Sequence, residues 1–157
     1  MFSVGEKIVY PMHGAGIIDA VETKQVAGKT VDYYKVKITN GNIMLMIPVE
    51  NTSAVQLRPI ISVSQANSVI ENFGKNIEEC DIPWNKRYKI NIDLLKTGDI
   101  EKVASVLCEL ITREKQHGLS TSDRKMFILT KNIFCSELST VLDIPLADVF
   151  EQVLSKV

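Results

Sequence analysis

The chain reads as an α+β protein of two tandem domains: a small antiparallel β-barrel or bent sheet over residues 1–60, then an all-α helical bundle over residues 61–157. Three observations predict this. From Lys7 to about Leu57, short apolar runs alternate with turn residues, as strands do; after Pro59 the apolar residues recur at three and four; and capping residues precede those later runs. A hydrophobic content of 45% over 157 residues is that of a globular protein and excludes disordered and fibrous classes.

Ile8-Val9-Tyr10 makes the first strand, stopped by Pro11 and the small group Gly14-Ala15-Gly16, whose glycines read as turn and bulge residues. Ile17-Ile18 and Ala20-Val21 begin the next strand, which turns at Gly28-Lys29. The run Tyr33 to Ile38 alternates as a half-buried strand, and Asn40-Gly41-Asn42 turns it into Ile43-Met44-Leu45-Met46-Ile47-Pro48-Val49. Four or five such strands bury their apolar faces only by forming a barrel or bent sheet, since one hairpin cannot do so alone. The last strand is apolar on both faces, which suits either a covered central strand or one face that docks a partner.

Between Arg58 and Ser64 the periodicity changes and Pro59 interrupts the backbone. Ser64 caps a helix running to Phe73, with Gly74 as its stop. The stretch Glu78 to Pro83 breaks regular structure, and a short helix then runs from Trp84 to about Leu95. Asp99 caps a longer helix with Ile100, Val103, Leu107, Leu110 and Ile111 on one face, ending near His117-Gly118. Ser120 and Asp123 open the next, which buries Met126, Leu129, Ile133 and Leu138, and Pro145 marks the head of a final helix from Leu146 to Leu154. Two small folds, neither with a deep core, suit an adaptor that touches two partners better than an enzyme built round one cleft.

Chemistry-bearing residues are sparse. No Gly-rich phosphate loop and no nucleophile motif occurs, so no enzyme activity and no cofactor is expected. His13 reads as a turn histidine making a structural hydrogen bond, and His117 as a residue at a helix C-terminus. Cys80, Cys108 and Cys135 are three and widely spaced, which supports neither a disulfide framework nor a metal site; the latter two read as core fillers. With no segment of membrane-spanning length and no leader, the expected location is the cytoplasm.

The net charge of −1 hides a segmental pattern: residues 1–60 balance at +1, 61–83 at −3, 84–131 at +4 and 132–157 at −3. The positive segment starts at the only tryptophan, in Trp84-Asn85-Lys86-Arg87-Tyr88-Lys89. Cations that find phosphates beside a ring that stacks on or wedges between bases make a nucleic-acid surface, with Arg124, Lys125 and Lys131 recurring in a later helix. A lone tryptophan more commonly anchors a core, and a charge run is more commonly a solvated helix face. Helical spacing puts Arg87 and Tyr88 one turn beyond the indole. Arg87 also suits a structural role, with Asn91 and Asp99 as partners, which leaves phosphates more to Lys86 and Lys89.

These residues together resemble a known family. The run Val4 to Gly16, then Glu22, Gly28, Tyr33-Tyr34 and Ile47-Pro48-Val49, is similar to the CarD family of bacterial transcription regulators, and so are Trp84 to Lys89, Asn91, Lys96-Thr97-Gly98-Asp99, Gly118-Leu119-Ser120 and Met126. The resemblance spans nearly the whole chain. It implies a Tudor-like RNA polymerase-interacting domain that grips the lobe of the polymerase β subunit, with Lys24, Met44 and Met46 at the contact. It further implies a helical domain that binds promoter DNA without reading sequence, with Trp84 and the flanking phosphate contacts Lys86 and Lys89 at the DNA; Arg87, Arg124, Lys125 and Lys131 join this candidate DNA-binding set from the charge pattern. The tryptophan would wedge into the minor groove at the upstream edge of the bubble and prolong the open complex, so the protein would sit on the nucleoid through polymerase. Met46 stands where well-known members carry a basic residue, which implies a more apolar contact or a different register. The alternative is a polymerase-binding adaptor whose helical domain recruits another protein. A monomer and a pair joined at the apolar strand edge are both compatible with this reading.

Overall fold

The computed structural model describes residues 1–39, 41–75 and 82–157. Cys80, most of the expected break from Glu78 to Pro83, and Asn40 of the expected turn lie outside them. Five strands, β1 (Lys7–Tyr10), β2 (Gly14–Val26), β3 (Lys29–Ile38), β4 (Met44–Pro48) and β5 (Arg58–Pro59), form one antiparallel sheet in the order β4-β3-β2-β1-β5. Pro59 does not interrupt this sheet. It stands opposite Ile8 at an edge, where a residue without an N–H is tolerated. The irregularity expected at Gly16 lies further on, between Ile18 and Ala20, where the extra residue is Asp19. Ile8, Ile18, Tyr34, Val36, Ile38, Ile47 and Leu57 make the core on the sheet's inner face.

The helices among the described residues are α1 (Val63–Asn72), α2 (Trp84–Lys96), α3 (Ile100–His117), α4 (Thr121–Leu142) and α5 (Leu146–Leu154). Capping decides where they begin. Ser62, not Ser64, opens α1, because Gln65 stands three residues later and completes a reciprocal capping box with it. Asp99 caps α3 by accepting from Glu101 N–H, and Ser120 caps α4 by accepting from Asp123 N–H. The helical half carries a deeper core than its sequence suggests, running from Ala66 and Phe73 through Leu95, Leu107 and Leu110 to Phe134, Leu138 and Val149. Leu129 is only half-buried at its rim. Cys108 and Cys135 are buried in it. Burial pushes the Cys108 thiol above its ordinary range and the Cys135 thiol up to about 12, so both behave as apolar fillers and not as nucleophiles.

Sheet and bundle meet closely. Gly14, at φ +94°, lies against α4 so tightly that a Cβ there would fall 2.4 Å from Ser136 Oγ, and the next residue, Ala15, donates its N–H to that oxygen at 3.0 Å. Gly14 therefore serves the approach of a helix as well as a turn. No described helix is long and apolar enough to cross a membrane.

Candidate nucleic-acid interface and docking edge

Helix α2 starts at Trp84, after Pro83, with neither a side-chain cap nor an acidic residue in its first turn. Trp84 is 49% exposed, and Tyr88, one turn on, is exposed beside it, the two rings 6.1 Å apart at 36°. Ile90 is exposed as well.

Further along the same side of this helix, Arg87, Asn91 and Leu95 are buried. Arg87, 6% exposed, donates from Nη2 to both carboxylate oxygens of Asp123 in α4, at 2.9 and 3.1 Å. Its Nε lies 3.4 Å from Glu109 Oε1 in α3, near enough for charge attraction but out of line for a hydrogen bond. Three helices are joined at this guanidinium. Arg87 is therefore withdrawn from the phosphate-binding set, because it is buried and its charge is enclosed by the carboxylates of Asp123 and Glu109. Its partners are Asp123 and Glu109, not the Asn91 and Asp99 that lie nearer in sequence.

Lys86 and Lys89 are exposed on α2. At 3.6 residues per turn they point roughly 140–160° round the axis from the indole, so ring and cations flank the helix end on opposite sides. The Arg87–Asp123 pair sets the first turn of α4 against that of α2, which brings the exposed Arg124 and Lys125 to the same end of the bundle. Arg124 reaches Glu114 at 3.4 Å in a pair so exposed that it hardly restrains the side chain. Lys131 is not part of this group. Its ammonium lies over the Phe150 ring, 4.1 Å from the centroid, a packing role on the α5 side. The structure brings Trp84, Lys86, Lys89, Arg124 and Lys125 to one end and adds Tyr88, whose signal was its spacing of four from Trp84.

On the sheet, β4 is an edge strand with β3 as its neighbour, which removes the reading of it as a covered central strand. Its register with β3 sets Met44 opposite Lys37 and Met46 opposite Lys35 on the outer face, while Ile47 turns inward opposite Tyr34. Met44 and Met46 are exposed, and so is Ile43 just ahead of the strand. Lys24 stands on the same face, opposite Val31, in the part of the β2–β3 ribbon that runs past the end of β4. Lys35 and Lys37 are the neighbours of the methionines that sequence alone did not single out. Lys35 lies 3.7 Å from Glu22, a loose exposed pair. Outside these two surfaces, His13 sits exposed with its ring edge-on to Tyr10, centroids 4.6 Å apart, where a hydrogen bond was expected.

Two family models match this chain, one after the other. Residues 2–61 match the model of the CarD-like/TRCF RID domain, and residues 68–154 match that of the CarD C-terminal domain. A protein of Bacillus subtilis (strain 168) named "Putative transcription factor YdeB" is 35% identical over 141 residues, covering 90% of this chain and 92% of its own length.

Proposed function

This chain belongs to the CarD family of transcription regulators, and from that premise we propose that it holds the open promoter complex, docked on RNA polymerase by one domain and wedged into DNA by the other. The Tudor-like sheet, residues 1–60, adds its β4 edge to a strand of the polymerase β subunit, in the lobe. Main-chain hydrogen bonds give that contact its strength, and Met44 and Met46 give it an apolar face with Lys24, Lys35 and Lys37 around it. The helical domain, residues 61–157, then sets Trp84 against the minor groove at the upstream edge of the bubble. Inserting a ring at a step that is already unstacking costs little, and once inserted it opposes re-pairing.

The observation that carries this reading is the contrast within one turn of α2: Trp84 is half exposed while Arg87 beside it is locked to Asp123. An exposed indole on an anchored helix end is a probe held ready for a partner. Lys86, Lys89, Arg124 and Lys125 supply phosphate contacts that position without reading sequence. With so few cations, the domain's own DNA affinity is low, and docking on polymerase supplies the effective concentration that it lacks. Polymerase thus carries the protein to the nucleoid.

Because Trp84 is the only tryptophan, its fluorescence reports on insertion directly. In the polymerase–promoter complex, with fluorescence read against the same complex containing the Trp84→Phe variant, the indole emission should be quenched on forming the bubble, as expected for stacking on bases. An emission that does not change between polymerase alone and the open complex would count against DNA contact and favour a protein partner for the helical domain.

A further inference from the structure

We propose that Arg58 and Glu137 are positioning residues: together they fix the direction of α2 relative to the sheet, and so decide where Trp84 stands once β4 is docked. The proposal rests on the wedge reading above.

Glu137 lies in α4, is 1% exposed, and all its acceptor capacity in view is directed at the end of the sheet. Its Oε1 accepts from Arg58 Nη2 at 2.6 Å, and its Oε2 accepts from Arg58 Nη1 at 2.8 Å and from the Ile61 N–H at 3.1 Å. Arg58 is in β5, the strand that pairs with β1. Besides the fork to Glu137, its Nε donates to the Gly98 carbonyl at 2.8 Å and its Nη1 to the Pro59 carbonyl at 3.0 Å. Gly98 is in the corner between α2 and α3, and its backbone approaches Pro11 so closely that a Cβ would lie 2.8 Å from Pro11 Cγ. One planar guanidinium therefore joins the sheet, α4 and the C-terminal end of the helix that presents Trp84 at its other end. A bidentate fork fixes angle as well as distance, which a lysine in its place does not.

The lever is long enough for this to matter. Thirteen residues of α2 span roughly 20 Å at 1.5 Å per residue. A tilt of about 10° at the Gly98 end displaces the indole by about 3 Å, close to the spacing of successive bases along a strand. A wedge displaced by one step meets a stacked pair where it should meet the melted edge.

The test uses two variants of the whole protein. Glu137→Gln removes the charge that holds the fork, and the double substitution Arg58→Leu with Glu137→Leu replaces the pair with apolar side chains, leaving no buried charge if the single variant does not fold. Spin labels at Lys7→Cys on the sheet and Asn85→Cys on α2, in a Cys80→Ser background, report the distance between the two parts. Both variants should keep polymerase pull-down and DNA binding while the distance distribution broadens and the open-complex lifetime shortens several-fold, toward that of Trp84→Ala. Val153→Ala, which weakens the core from α5 and removes no group of the fork, should keep the narrow distribution and the full lifetime. A distribution that stays narrow in the double variant overturns the proposal, and so does a broadened one with an unchanged lifetime. If Trp84→Ala itself leaves the lifetime unchanged, the wedge reading has failed, and the fork is then judged on the label distances alone.

Discussion

Replacing Arg87 by alanine should destabilise the protein by about 3–5 kcal/mol, the usual cost of leaving one member of a buried ion pair without its partner. Asp123, itself buried, would keep its carboxylate inside the bundle with no cation beside it, and Glu109 would lose its neighbour. Lys86→Ala, on the exposed side of the same helix, should change stability by no more than about 0.5 kcal/mol. Urea denaturation of both variants measures the difference. A double substitution of Arg87 to Met and Asp123 to Leu should recover most of the loss, because the charge left behind and not the missing pair is what destabilises. An Arg87→Ala variant as stable as the parent would mean that the guanidinium is solvated and free for phosphate after all.

The second large effect is expected at the sheet edge. Met44→Glu with Met46→Glu puts two carboxylates on the outer face of β4, where both methionines are exposed and nothing in the core changes. Folding should be retained, while polymerase binding should weaken at least about tenfold, equivalent to about 1.4 kcal/mol, since an apolar contact would now have to desolvate charge. Pull-down of polymerase with variant and parent checks it. Undiminished capture would remove β4 as the docking strand.

Much of this arrangement was legible in the sequence, and what was not follows a physical pattern. Asp99 and Ser120 could be read as caps because a cap bonds within three residues, and the helix that Asp99 starts ends at His117, as the Gly118 after it leads one to expect. Ser62 and Ser64 compete for the same role, and only the reciprocal bond with Gln65 decides between them. Contacts that cross the chain were out of reach. Gly14 meets Ser136, Arg58 meets Glu137 and Arg87 meets Asp123, over separations that spacing rules do not address. For this reason spacing gives Arg87 a structural role with the wrong partners while leaving it in the DNA-binding set, and it counts Lys131, which reaches Phe150 on the next helix, in that set too. The edge position of β4 was equally hidden, because an apolar run is the same string at the edge or the centre of a sheet; strand order settles it.

Trp84 is the instructive residue. It falls on the stripe of α2 that Arg87, Asn91 and Leu95 carry inward, so helical phase alone favours burial, yet at the first position of the helix it stays half exposed. Its proposed role as a wedge rests on that exposure, on the anchored turn beneath it and on the family to which the chain belongs. The most direct test is the lifetime of the polymerase–promoter open complex after a competitor challenge, with saturating parent protein or Trp84→Ala. The alanine variant should fold and bind polymerase as the parent does, yet the lifetime should fall by roughly tenfold or more, the equivalent of the few kcal/mol at stake in one unstacked step. A lifetime equal to the parent's, with polymerase binding intact, would contradict the account.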